Sequence, residues 1–340
     1  MEDGGWVTAW SYAQRRTSFT RWENQESFTV KITNNISGHG VKLKFSNWYG
    51  SRRAGIKSVS IALGRQEYGI FVGGRREFYV SLQEDIYSDP IALPITTCIV
   101  RIHVTFLDSR RPESGNTFQN GIAMVLQSFL VAADSKADVV AFFGDSITHR
   151  QKWTEPLTEL WHKERPGGLA AFEVSIDGSR LLNGSPAKED ETLGFVAAKR
   201  FGHDVLGNAG INYVVFALGL NDLSIEETGE QVLSLETYQQ ATRFIVGEAH
   251  RKGIRIAGLT ITPRRADGCY TSRKNYLRKE INCWIMQDAP FDLAVDVAAV
   301  VEDSTGTALR EGYQEPDGVH INRAAGKAIA GAIAEAWNIW

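Results

Sequence analysis

The chain has 340 residues, 43% of them apolar and 23% charged, with a formal net charge of −3. This length predicts two domains rather than one. The composition is that of a globular protein, and the charge gives no electrostatic footing for nucleic-acid binding. The arginine pairs Arg15-Arg16, Arg52-Arg53, Arg75-Arg76, Arg110-Arg111 and Arg264-Arg265 read as solvated surface. Cys98, Cys269 and Cys283 are odd in number and far apart. A disulfide framework or zinc site is therefore not expected, and Cys269–Cys283 is the one bridge left open. No apolar run of about eighteen residues occurs, so no spanning helix is expected. The start, Met1 to Trp6, is acidic and lacks the apolar stretch of a signal peptide. The expectation is a cytoplasmic protein, or a mature secreted form without its leader. The sequons at Asn35 and Asn183 are short enough to arise by chance.

In chain order, residues 1–132 read as an antiparallel β-sandwich, and residues 133–340 as an α/β domain. Ser27–Ile32, Val41–Phe45 and Lys57–Leu63 alternate with period two, and extended runs follow at Glu77–Leu82 and Cys98–Phe106. Turn residues separate them, among them Gly38, Gly50, Gly73-Gly74 and Asp89-Pro90. No helix-period stretch is found before about residue 130. The pattern then changes to continuous apolar runs, the signature of strands buried on both faces: Val139–Phe143, Tyr213–Leu218, Ile254–Thr260 and Phe291–Asp296. Helices are expected between them, most clearly Thr237–Lys252, ended by Gly253. The last is Asn322–Trp337, capped by Asn322, with Ala325, Ala328, Ile329 and Ile333 on one face. Strand alternating with helix implies a parallel sheet between helical layers.

Ligands of an open parallel sheet bind at the carboxyl ends of its strands, which directs attention to four segments. The first buried strand ends in Gly144-Asp145-Ser146, which puts a hydroxyl at a strand-to-helix turn. Ser146 is there either a nucleophile awaiting a base or a simple helix cap. The second ends in Gly219-Leu220-Asn221-Asp222, where Asn221 can aim an amide at a developing oxyanion or merely build a polar turn. Between them Val174-Ser175-Ile176 reads as a short strand running into Gly178, a backbone N–H donor or an ordinary loop glycine. Asp317-Gly318-Val319-His320 precedes the last helix. On a tight turn the Asp317 carboxylate can meet Nδ1 of His320, leaving Nε2 to take a proton. The alternative is that His320 only decorates the helix start.

Taken together and in this order, these segments resemble the SGNH (GDSL-like) hydrolase superfamily, whose signature is a Ser in Gly-Asp-Ser, a Gly, an Asn in Gly-x-Asn-Asp and a His in Asp-x-x-His. The stretches Gly40–Gly50, Ser88-Asp89-Pro90, Gly178–Leu182 and Phe201–Leu206 further resemble a bacterial two-domain subgroup with a β-rich N-terminal domain. The resemblance implies a flavodoxin-like three-layer hydrolase domain preceded by a jelly-roll-like accessory sandwich. It implies Ser146, His320 and Asp317 as catalytic residues, and Ser146, Gly178 and Asn221 as the oxyanion hole. The expected activity is hydrolysis of carboxylic esters, short-chain acyl or acetyl, on a small molecule or carbohydrate. An acyltransferase with the same site and a non-catalytic carbohydrate-binding protein are the alternatives. No cofactor is needed, and the seven histidines form no metal pattern. The chain departs from the subgroup at His149, where an acidic residue is frequent, and at Ile321, where Pro is common. His149 is expected at the pocket rim or exposed in the first helical turn. Trp22, Trp48 and Tyr49 sit at loop-like positions, where they either line a sugar or acyl site or anchor the core and domain interface. The α/β-hydrolase elbow Gly-x-Ser-x-Gly is excluded by Thr148.

Overall fold

The computed structural model describes residues 5–13, 27–50, 53–107, 117–118, 121–122, 125–182, 196–224, 233–265, 268 and 270–337. Trp22, Asn183 and Cys269 lie outside the described residues, while Cys98 and Cys283 are free thiols.

The first twelve strands are β1 (Trp6–Ser11), β2 (Ser27–Asn34), β3 (Gly38–Ser46), β4 (Ala54–Leu63), β5 (Gln66–Ile70), β6 (Phe78–Val80), β7 (Asp85–Tyr87), β8 (Ile91–Ile95), β9 (Cys98–Phe106), β10 (Thr117–Phe118), β11 (Gly121–Ile122) and β12 (Leu126–Ala133). One antiparallel sheet runs β1-β12-β3-β7, with β8 also on β3; the other runs β2-β9-β4-β5, with β6 also on β4. β10 and β11 pair separately. The two sheets form a sandwich whose core takes the alternate apolar residues read from the sequence. Phe28, Val30 and Ile32 of β2 and Val100, Ile102 and Val104 of β9 point inward, while Lys31, Arg101 and His103 face out. β12 does not alternate: Leu126 to Ala132 are all buried. On its second face the Ser128 hydroxyl donates to Asn208 of the α/β part at 3.3 Å.

The parallel sheet consists of β13 (Asp138–Gly144), β14 (Leu169–Glu173), β15 (Tyr213–Ala217), β16 (Arg255–Leu259) and β17 (Leu293–Val295), in the order β14-β13-β15-β16-β17. This is the flavodoxin-like order, with its switch point between β13 and β15. Helices Thr154–Glu164, Val297–Val301 and Arg323–Trp337 pack together as one layer, and Ala197–Asp204, Leu235–Arg251 and Ser272–Gln287 as the other. The last helix is capped as expected: Oδ1 of Asn322 accepts from the N–H groups of Ala324 and Ala325 at 2.9 and 3.1 Å. The helix expected at Thr237 begins at Leu235, because Ser234 forms a capping box with Thr237. The strand expected at Val174–Ile176 lies earlier, at Leu169–Glu173. Residues 174–176 only trail β13, through Val174 N–H to Phe142 O and Ile176 N–H to Gly144 O. The residues of helix Ser272–Gln287 carry too weak an apolar stripe to announce it.

The sandwich docks on the α/β layers through backbone and buried polar contacts. Thr8 N–H donates to Ala209 O at 2.8 Å, and Ser37 N–H to Gly167 O at 3.0 Å. Asn35 is buried; its amide donates to Leu169 O at 2.9 Å and Arg165 O at 3.2 Å, so this sequon asparagine is consumed by the interface. Trp48 and Tyr49 make contacts at the same interface: Trp48 stacks on His203 at 4.6 Å between centroids, and Tyr49 O–H donates to Asp204 at 3.0 Å.

Glu173 closes β14 with a buried carboxyl. Burial pushes its pKa from 4.5 up to about 8, although the Thr154 hydroxyl and the Gln151 amide donate to it and oppose the rise. The folded state therefore binds more protons than the unfolded state between these values, so this group's contribution to stability falls as pH rises from 4.5 toward 8. Thermal unfolding of the wild type and Glu173→Gln from pH 5 to pH 8 should show a shallower decline for the variant. Identical profiles would contradict a buried, proton-holding Glu173.

Candidate active site

β13 ends at Gly144, and the chain turns at once into the short helix Ser146–His149. Asp145 caps it: its carboxylate accepts the Ile147 N–H at 3.0 Å. Burial pushes the Asp145 carboxyl up to about 7, against that hydrogen bond. Ser146 follows, only 7% exposed.

The Ser146 hydroxyl meets Nε2 of His320 at 2.8 Å. The other ring nitrogen, Nδ1, meets Oδ2 of Asp317 at 2.6 Å. Oδ1 of Asp317 accepts the N–H groups of Val319 and His320 at 3.0 and 2.9 Å. The turn thus aims its own carboxylate at the imidazole. Desolvation would raise the Asp317 pKa, but the His320 amide, the His320 ring and the Val319 amide overcome it and bring it down to about 2. Arg150, one turn beyond Ser146, lies 3.8 Å from the same carboxylate. Sequence reasoning did not single it out, because its partner is 167 positions away.

Gly178 and Asn221 arrive from the two strands flanking β13. Gly178 has φ +73°, a left-handed conformation that strains any residue with a Cβ. Gly219, before Asn221, has φ +126°, and a Cβ there would stand 2.6 Å from Ile261 Cδ1. The Asn221 amide donates to Ser179 O at 3.2 Å. That contact uses one of its two hydrogens and fixes the plane of the other. Asp222 ties the loops a second time, accepting from Leu181 N–H at 2.8 Å and Leu182 N–H at 2.9 Å. Burial raises its pKa to about 6 despite those donors.

The structure therefore brings Asp317, His320 and Ser146 into one hydrogen-bonded run and bonds the loops bearing Gly178 and Asn221 to each other. His149 is not fully exposed. It is half-buried against Tyr12 of the N-terminal part, 6.0 Å between ring centroids. Ile321 is buried beside the site turn.

A family profile described as GDSL-like Lipase/Acylhydrolase matches residues 140–333, more than half of the chain. No curated protein matches the chain. Among solved structures, a GDSL-like lipase from Bacteroides thetaiotaomicron is similar at 18% identity and TM-score 0.43, over 59% of this chain and 88% of that one. An acetyl-xylooligosaccharide esterase from Geobacillus stearmophilus is similar at 18% identity and TM-score 0.45, over 59% and 94%. The esterase EstA from Pseudoalteromonas is similar at 16% identity and TM-score 0.43, over 59% and 97%. On the strength of the profile match, which runs from β13 into the last helix, this chain belongs to the GDSL-like lipase/acylhydrolase family.

Proposed function

We propose that this protein is a serine esterase that hydrolyses carboxylic esters of short-chain acyl or acetyl type, borne by a small molecule or a carbohydrate. The observation that carries the reading is the unbroken run from the Asp317 carboxylate through His320 to the Ser146 hydroxyl, at 2.6 and 2.8 Å. A serine hydroxyl becomes a nucleophile when an oriented base stands ready to take its proton.

In this mechanism Nε2 of His320 takes the Ser146 proton as Oγ attacks the ester carbonyl carbon. Asp317 holds the ring by Nδ1 and stabilises the imidazolium. The tetrahedral oxyanion is met by the N–H groups of Ser146 and Gly178 and by the Asn221 amide, preorganised donors of the kind that act chiefly in the transition state. His320 then protonates the leaving alcohol, and water, deprotonated by the same ring, releases the acid from the acyl-enzyme. A panel of p-nitrophenyl esters and acetylated sugars tests the activity and ranks the acyl group and the alcohol.

Four outcomes are expected of the purified enzyme and its variants. Ser146→Ala should lose turnover on the order of a million-fold while keeping its fold; more than a few per cent of wild-type activity would remove Ser146 from the mechanism. The wild-type kcat/KM should rise with pH, because only neutral His320 can accept the proton. Asp317, with a pKa of about 2, is ionised throughout a scan from pH 5 to 9 and adds no step to it. Asp317→Asn should lower kcat by as much as about 10⁴-fold with KM little changed, whereas a flat wild-type profile would count against His320 as base. Finally, Asn221→Ala should cost about 10²- to 10³-fold in kcat at nearly constant KM. A raised KM with unchanged kcat would make Asn221 a substrate-binding residue instead.

A further inference from the structure

Arg200 is 1% exposed and lies in the helix Ala197–Asp204. Its guanidinium donates to Val174 O at 2.7 Å, to the Ser179 hydroxyl at 3.3 Å and to Gly144 O at 3.5 Å. Val174 and Ser179 bracket the loop that carries Gly178. Gly144 is the last residue of β13, two before Ser146. Ser179 also accepts, through its carbonyl, the amide of Asn221. One buried cation thus touches the backbone leading to Ser146 and both ends of the Gly178 loop, and reaches Asn221 through one shared residue.

What fixes Arg200 comes from the other half of the chain. NH1 pairs with Asp204 Oδ2 at 3.1 Å, and both side chains are fully buried. Asp204 Oδ1 faces Nδ1 of His203 at 2.9 Å and accepts the Tyr49 hydroxyl at 3.0 Å. Nε2 of His203 meets the Asp85 carboxylate at 3.0 and 3.2 Å. Asp85 in turn pairs with Lys44 Nζ at 2.8 Å. Both ring nitrogens of His203 face carboxylates, which can only accept, so both donate and the ring is cationic. Burial opposes that charge, but Asp204 and Asp85 raise the pKa regardless. Five groups therefore alternate in sign: Lys44, Asp85, His203, Asp204, Arg200. Trp48 covers the His203 ring, and Tyr49 meets it edge-on at 5.5 Å. Lys44, Asp85, Trp48 and Tyr49 belong to the sandwich.

We infer that Arg200 is a positioning residue for the oxyanion loops, and that the β-sandwich sets its position through Asp85, His203 and Asp204, which makes the sandwich a working part of the active site. The inference rests on the serine-esterase reading above. Burying alternating charges is costly unless each is paired, and a chain of this kind has few alternative arrangements. Displacements well under an ångström at a reacting centre cost rate, and an error of about 1 Å can cost a hundredfold. The Arg200–Asp204 pair is buried beneath the loops and acts through their backbone, so its loss should appear in kcat.

The test uses the full-length chain. Arg200→Lys keeps the charge but cannot hold three acceptors in the fork geometry. Asp85→Asn breaks the run inside the sandwich. Each variant is checked for folding by circular dichroism and thermal unfolding, then assayed with p-nitrophenyl acetate and for the rate of Ser146 labelling by a fluorophosphonate. Arg200→Lys should lower kcat about tenfold to a hundredfold. Asp85→Asn should lower it about 3- to 30-fold, the usual span for coupling through a network. In both, KM should stay within about twofold and labelling should slow in parallel. If Arg200→Lys does not fold, Asp85→Asn decides alone, since its side chain, 22% exposed, is the least buried of the run. Folded variants with wild-type kcat, or with raised KM and unchanged kcat, overturn the inference. A parallel Ser146→Ala sample separates the two levels. Activity surviving there removes the esterase mechanism and this inference with it; activity lost there but retained in the network variants overturns the positioning role alone.

Discussion

A hydroxyl and an imidazole 2.8 Å apart, with 174 positions of sequence between them, set the central demand on this fold. A parallel sheet meets it because each crossover returns the chain to the same edge. β13 delivers Ser146 to that edge, β14 delivers the Gly178 loop, β15 delivers Asn221, and the turn Asp317–His320 comes back over them just before the last helix. The order β14-β13-β15 puts these three loops side by side at the switch point, where flanking connections diverge to opposite faces and leave a crevice. Val139 to Phe143 are buried on both faces, so β13 is the least movable of the strands on which a nucleophile could be mounted.

The loops themselves are held by carboxylates used as braces. Asp145 spends an oxygen on the Ile147 amide, Asp222 spends both on Leu181 and Leu182, and Asp317 divides its two between the turn's amides and the His320 ring. Asp145 and Asp222 do this in full burial, which raises both pKa values, to about 7 and about 6. Asp317 does it at the exposed surface and stays low. The same side chain thus serves two electrostatic purposes, as a buried strut whose pKa desolvation raises and as a permanent anion at the rim.

The parts legible in the sequence were those with local signatures. Period-two alternation in β2 and β4, the extended run of β9, the both-faces-buried run of β13, the Asn322 cap and the three-residue spacing of Asp317 and His320 are all written within a few positions. The missing parts were decided across the chain. Arg200 and Asp204 stand four apart on a helix, a spacing common among surface ion pairs; only the Gly178 loop and the sandwich beside them make the pair interior. Nothing local to Trp48 and Tyr49 announces His203 and Asp204, which lie opposite them across the interface. His149 was judged by its place in a helical turn, whereas its surroundings are set by Tyr12, 137 positions earlier. The true position of β14 was obscured because Leu169–Glu173 is short and ends on a carboxylate, a residue that strand periodicity argues against in a buried sheet.

The position of β14 has one more consequence. It is an end strand of the parallel sheet, and its approach is sealed by the sandwich: Ser37 bonds Gly167, Ile36 bridges Gly168, Asn35 caps Leu169, and β1 lies along it. An uncovered end strand offers its backbone groups to any other extended chain, and natural proteins take care to block that. The sandwich is this protein's block. A hydrolase half cut free of it would carry a naked, apolar border of the kind that recruits copies of itself, so self-association into insoluble material is the hazard that the N-terminal strands hold off.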